Sequence, residues 1–355
     1  MNIRNPQYLV WEFTLACNMR CKLCGSSAGK PRKNELNTQE VMKLCEQIRE
    51  LKVNRISLMG GEPFIRNDWE LVLDFFHGTE QEVEFISNGL LVDKKIAKKL
   101  RHYDIYGISF SLDGTEEIND KLRNFKGSYK AIRRAVETCQ EEGLRVGIIS
   151  QINKYNINSI KELYNILVEW QIDGWQIQLT NPLGNAKASK LIVDEDDIIL
   201  LHDSILEIPK DRQLDIFFAD DIGYFCDYEP FLRSSYLQNG VWLGCQAGLL
   251  VSGLTSDGGV KGCLSLPDEF IEDNVRKRSF VEIWNDKNLF SYNRIGHELH
   301  GFCRECDFAK LCKGGCSSLA YSTMGHLGEI KHCWHRIMKS RSQQDSDQNP
   351  LHPQE

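Results

Sequence analysis

The chain has 355 residues, 41% of them hydrophobic, and a formal charge of −7, which is enough apolar material for one large domain or two medium ones. The acidic balance gives no basic surface for nucleic acid or an anionic membrane. No apolar run approaches about 18 residues and no cleavable leader opens the chain, so a cytoplasmic protein is expected.

Strands are predicted at 8–15, 55–59, 82–88, 106–113, 145–151 and 175–180. Amphipathic helices are predicted between them at 38–51, 67–77, 93–102, 128–142 and 157–170, the first opening on an Asn37-x-x-Glu40 cap signal. This alternation specifies an α/β fold with a parallel sheet and right-handed crossovers. Several strands carry one polar face: Ser109, Ser111 and Asp113 oppose Ile108, Phe110 and Leu112, and Gln176, Gln178 and Thr180 oppose Trp175, Ile177 and Leu179. A closed eight-stranded barrel fills its interior with branched apolar side chains, and an open doubly wound sheet buries both faces. The polar faces therefore point to a six-stranded, incompletely closed barrel, a partial (β/α)6 TIM-like fold with a wet or ligand-filled lumen.

The core unit is expected over 5–215, with no strong period after 181 and an acidic run at 194–197. A bridge follows over 216–244, then a small Cys- and Gly-rich region over 245–337 whose folding should depend on metal. The polar tail, 338–355, reads as disordered.

Thirteen cysteines are the outlier in composition, and in a reducing compartment they read as metal ligands or redox groups rather than disulfides. Cys45 and Cys139 fall in helical apolar stripes and read as core. Cys17, Cys21 and Cys24 form a CxxxCxxC loop where the first strand ends, the rim at which α/β folds place reactive groups. Three thiolates can hold three irons of a 4Fe-4S cluster and leave the fourth open; a three-cysteine zinc site with a catalytic water is the competing reading.

With that loop the sequence resembles the radical S-adenosylmethionine (SAM) superfamily. Three further motifs agree at successive predicted strand ends: Gly60, Gly61, Glu62 and Pro63 as GGEP, Ser87 and Asn88 in SNG, and Ser111 and Asp113 in SLDG. The resemblance implies that SAM chelates the open iron, that Glu62 and the exposed glycine backbone engage its amino group, and that the other two stretches lie near the nucleoside. One-electron reduction then gives a 5′-deoxyadenosyl radical that abstracts hydrogen from a substrate.

The cysteines of the second region resemble the seven-cysteine SPASM domain that follows many radical SAM cores. Carried over position by position, Cys245, Cys263 and Cys316 would bind an inner auxiliary 4Fe-4S cluster, and Cys303, Cys306, Cys312 and Cys333 an outer one, making three clusters in all. Relatives use an eighth cysteine shortly before the first of the seven, and 238–244 has none. Either Cys226 reaches in or one inner iron is open. Asp220 and Asp221 fall at a predicted loop facing the barrel mouth, where a carboxylate could take a proton from a radical product; a solvated turn is the alternative.

The resemblance implies a peptide-modifying maturase, since two auxiliary clusters provide the electron exit that a net two-electron oxidation requires. Its expected partners are a peptide or protein substrate, a separate leader-peptide-binding protein, and a flavodoxin- or ferredoxin-type electron donor. The alternatives are a formylglycine-forming sulfatase maturase, a cofactor-assembly enzyme acting on a peptide or tetrapyrrole, and a non-catalytic iron–sulfur carrier.

Overall fold

The structure, a computed structural model, describes residues 4–209, 214–219, 222–226, 229–233 and 242–348. In the first half β1 (Tyr8–Thr14), α1 (Thr38–Glu50), β2 (Arg55–Gly60), α2 (Trp69–Phe76), β3 (Glu82–Ser87), α3 (Lys94–His102), β4 (Gly107–Ser111), α4 (Glu116–Arg123), α5 (Ser128–Glu141), β5 (Val146–Ile152), α6 (Ile160–Glu169) and β6 (Gly174–Leu179) alternate. There follow α7 (Gly184–Lys187), α8 (Glu195–Leu206), β7 (Asp215–Phe218), α9 (Glu229–Arg233), β8 (Val251–Leu254), β9 (Gly259–Lys261) and β10 (Asp273–Asn274). The remaining helices are α10 (Phe280–Asn285), α11 (Ser291–Arg294), α12 (Gly301–Arg304), α13 (Ala309–Cys312), α14 (Ser317–Met324) and α15 (Trp334–Gln348).

The strands join one sheet in the order β10-β9-β8-β1-β2-β3-β4-β5-β6-β7. Each neighbouring pair from β1 to β7 is parallel. The fold is therefore α/β with a mostly parallel, open sheet, as the alternation predicts. Helix α1 forms where expected because Asn37 and Glu40 close a reciprocal capping box and Val41, Leu44, Cys45 and Ile48 share one buried face. Trp11, Phe85, Phe110 and Trp175 are fully buried on the helix-covered side of the sheet, each contributing about 1.5–3 kcal/mol or more by removal from water.

The opposite face is polar. At the N-terminal ends of the strands it encloses a cavity of about 210 Å³ lined by Tyr8, Glu84, Ser109, Arg145 and Gln176 among others. Nearer the rim it carries Glu12, buried and held by Arg32 at 2.6 Å. The amide and hydroxyl of Ser256 also donate to Glu12, and Arg32 reaches Asp268 at 2.6 Å. These contacts tie the second region to β1.

Three parts of the chain differ from expectation. The Cys-rich region does not stand apart: β8 pairs in parallel with β1, Tyr8 opposite Val251, and the Trp284 indole donates to Arg4 O across the chain at 2.9 Å. It borrows the barrel's sheet and core instead of building its own. The acidic run is a helix start, Asp194 and Asp197 forming a capping box on α8. The expected disordered tail is helical as far as Gln348 in α15. That helix docks on α8, where the His202 ring stacks on Trp334 at 3.9 Å.

Two expectations follow. Arg32→Met leaves a buried carboxylate without its cation, and urea unfolding should show a loss of about 3–5 kcal/mol, larger than the loss in the Arg32→Met/Glu12→Gln pair. Burial lowers the His202 pKa to about 4, so between about 6.5 and 4 the unfolded chain binds a proton that the folded chain refuses. The stability tied to His202 is complete above about pH 6.5 and is lost as the pH falls toward 4; thermal melts across that window should drop less steeply in His202→Gln.

Candidate functional site

The cysteine loop leaves β1 and folds back on itself, Gly29 N donating to Leu15 O at 2.9 Å and Cys17 N to Gly29 O at 3.2 Å. Inside it, amides already point at sulfur: Met19 N lies 3.4 Å from Cys17 Sγ and Ala28 N 3.3 Å from Cys24 Sγ. Burial nonetheless pushes the Cys17 thiol up to about 11, against the pull of the Met19 amide, with Cys21 and Cys24 close enough to add to the rise. Without a metal the raised Cys17 and Cys21 thiols stay neutral, and iron must displace their protons to bind.

The GGEP turn registers this loop. Gly61 N donates to Thr14 O at 2.7 Å and Glu62 N to Ala16 O at 2.8 Å, so the turn extends the pairing of β2 with β1 into the cysteine loop. A Cβ at Gly61 would stand 2.1 Å from Ala16 O, and one at Gly60, whose φ is +127°, 2.2 Å from Thr14 O. Only glycine allows this approach. Pro63 starts the following 3-10 turn.

Glu62 is fully buried, and its carboxylate accepts from Ser87 Oγ and Asn88 N at 2.9 Å each. Burial pushes its pKa up to about 7 despite those donors. In this structure Glu62 joins the ends of β2 and β3, and its oxygens are already engaged. Asn88 then reaches the cysteine loop, its Nδ2 lying 2.7 Å from Asn18 Oδ1 and 3.8 Å from Cys17 Sγ. Ser111 is half-buried on the polar face at the end of β4.

Asp113 is fully buried, 2.5 Å from the Arg123 guanidinium, and also accepts from Gln151 N at 2.9 Å. Burial raises the Cys21 thiol, and Arg123 beside it opposes that rise. Asp113 thus acts on the cysteine loop through Arg123. Sequence reading missed Arg123 because it is the last residue of α4, a helix itself unpredicted. It also missed the clasp below the loop, where Asn185 Nδ2 donates to Cys21 O and Asn185 N to Cys24 O, both at 2.9 Å.

In the second region Cys303, Cys306, Cys312 and Cys333 line one hollow together with Phe225, Ile330 and His335. Burial pushes the Cys333 thiol up to about 12, with Cys303 and Cys306 adding to it. Cys245 and Cys263 flank the Tyr292 hydroxyl. Cys316 begins α14, its amide donating to Tyr224 Oη at 3.1 Å. The segment 222–226, carrying the buried Cys226, packs beside both groups through Tyr224, whose carbonyl lies 4.0 Å from Cys333 Sγ. Asp220 and Asp221 lie outside the described residues.

Among the described residues no three His, Cys, Asp or Glu side chains form a group that could hold one metal ion. Seven thiols in one region and three in a loop suit iron–sulfur clusters, which spread their ligands over several irons.

An open parallel barrel with a three-cysteine loop at its rim and a cysteine-rich extension of the same sheet defines a SAM-type iron–sulfur protein. The radical SAM superfamily model matches residues 11–167, and the iron-sulfur cluster-binding SPASM domain model matches residues 245–307. It is 29% identical over 345 residues to Fe-coproporphyrin III synthase of Methanosarcina barkeri, covering 90% of this chain and 85% of the relative. It is 28% identical over 327 residues to mycofactocin maturase MftC of Mycolicibacterium smegmatis, covering 90% and 80%. The structure of Streptococcus suis SuiB bound to precursor peptide SuiA shares the fold, with a TM-score of 0.74 at 18% identity over 93% of this chain and 76% of SuiB.

The glycine contacts give a direct test. Gly61→Ala should lower reconstituted iron by the share of one cluster, about four atoms per chain, while the helical circular dichroism stays unchanged.

Proposed function

We propose that the protein is a radical SAM/SPASM maturase that removes a hydrogen atom from a peptide or protein side chain and completes a net two-electron oxidation, giving a cross-linked or oxidised residue. The observation that carries this reading is the pairing of a three-cysteine rim loop with a seven-cysteine region held beside it in the same sheet, a set of thiols that suits a radical-generating cluster and an electron exit. When bound, the loop's cluster and SAM supply the 5′-deoxyadenosyl radical.

In this reading Cys17, Cys21 and Cys24 hold the SAM cluster, and the Gly60–Gly61 backbone receives the SAM amino group with Glu62 behind it. Ser87, Asn88, Ser111 and Asp113 shape the nucleoside side, and Arg123 favours the thiolate of Cys21. The seven SPASM cysteines would hold two auxiliary clusters, which would supply an exit for the substrate's second electron, while a flavodoxin- or ferredoxin-type donor would reduce the SAM cluster. Asp220 or Asp221 would take the accompanying proton. MftC, a maturase by name, and SuiB, whose structure holds a precursor peptide, support a peptide substrate.

A second reading is favoured by a recess of about 450 Å³ beside the cysteine loop. Arg20, Lys22 and Lys190 give it three cations, which suit a substrate bearing several carboxylates, and Fe-coproporphyrin III synthase is a relative of comparable identity. A carboxylated tetrapyrrole is therefore the alternative substrate class.

Anaerobically reconstituted protein given SAM and dithionite should form 5′-deoxyadenosine, and Cys24→Ala should form none. A precursor peptide that stimulates the yield and gains a loss of two hydrogens by mass supports the first reading; stimulation by Fe-coproporphyrin III alone supports the second. No 5′-deoxyadenosine above the Cys24→Ala background would overturn both.

A further inference from the structure

The inner auxiliary set of the sequence reading contains Cys245, Cys263 and Cys316, with Cys226 the candidate fourth thiolate. The structure places a different polar group beside two of the three. The Tyr292 hydroxyl is buried against the Gly262 backbone beside Cys263, finds no acceptor for its proton among the described residues, and lies within electrostatic range of the Cys245 and Cys263 thiols.

This position is built. Helix α11, which carries Tyr292, is pinned to the turn after Cys245: Asn293 Nδ2 donates to Ala247 O and Arg294 Nε to Gly248 O, both at 2.8 Å. The other two Arg294 nitrogens donate to Asp286 O and Trp284 O at 2.9 Å each. Phe270 packs edge-on against the Tyr292 ring at 5.6 Å. Room for the phenol is reserved by Gly262, next to Cys263, where a Cβ would stand 2.1 Å from the hydroxyl oxygen.

A buried hydroxyl without an acceptor costs about 1–3 kcal/mol, and phenylalanine would fill the same ring space without that cost. The position makes chemical sense once an acceptor is present between Cys245 and Cys263. A cluster ligated by these cysteines provides one in its thiolate and sulfide sulfurs, and a neutral phenol can donate to them without losing its proton. Hydrogen bonds to the sulfurs stabilise the added negative charge of the reduced cluster and raise its potential.

We propose that the Tyr292 hydroxyl donates a hydrogen bond to the sulfur edge of the inner auxiliary cluster at Cys245 and Cys263, and so sets the potential at which that cluster accepts the substrate's electron. Tyr292 is a positioning residue in this role. The inference rests on the reading that Cys245, Cys263 and Cys316 hold a cluster.

The test is an EPR redox titration of the reconstituted full chain as wild type, Tyr292→Phe and Cys263→Ala. The signal lost in Cys263→Ala identifies the inner cluster. In Tyr292→Phe, with iron content unchanged, that signal should shift to a more negative midpoint by about a tenfold change in its reduction equilibrium, about 59 mV for one electron; the other signals should not move. An unchanged inner midpoint overturns the hydrogen bond while leaving the cluster assignment intact. Loss of about four irons in Tyr292→Phe also overturns it, because the phenol would then be a ligand. If Cys263→Ala removes no signal, the cluster assignment fails and the inference fails with it.

Discussion

Gly61 N to Thr14 O at 2.7 Å and Glu62 N to Ala16 O at 2.8 Å are two short hydrogen bonds, and the geometry of the barrel rim follows from them. They continue the β1–β2 pairing past the end of the sheet, so the cysteine loop leaves β1 under the control of a neighbouring backbone. The contact is possible only because residues 60 and 61 lack a Cβ. Glu62 then carries the constraint sideways to Ser87 and Asn88, and Asn88 returns it to Asn18 in the loop. From the other side Asp113 and Arg123 press on Cys21. The four motifs at four strand ends form one connected collar around three thiols.

The same sheet carries the constraint into the second half of the chain. Strand β8 extends the barrel beside β1, and Glu12, on the polar face of β1, is shared by Arg32 and Ser256. The Cys-rich region is therefore held in fixed relation to the rim by backbone pairing and by the contacts of Ser256 with Glu12 and of Asp268 with Arg32, which a small region short of core could not achieve alone. A fixed relation between redox centres is what electron transfer between them requires.

The alternation of six strands with five helices was legible because each element has a clear period and an apolar face of its own; the caps at Asn37 and the stripe from Val41 to Ile48 are local signals. The motif positions were legible for the same reason, each following a predicted strand. What was not legible depends on distant partners. Strand Val251–Leu254 is four residues long and becomes a strand by pairing with Tyr8–Trp11. Arg123 and Asn185 look like ordinary helix and loop residues until the fold brings them against Cys21 and Cys24. The acidic run from Asp194 falls in a stretch without a strong period, and its capping box has meaning only once the helix behind it exists. Glu62 shows what a motif leaves unsaid: its carboxylate accepts from Ser87 and Asn88, a tie between two strand ends that the four letters GGEP do not announce.

The central claim is that the loop at Cys17, Cys21 and Cys24 holds a cluster with one iron left open for SAM, apart from the clusters of the second region. EPR of the reduced, reconstituted protein with and without SAM tests it most directly. The account predicts about twelve irons per chain, a change on SAM addition confined to one cluster signal, and loss of that signal alone in Cys17→Ala. A spectrum indifferent to SAM, or stoichiometric zinc in place of iron, would contradict it.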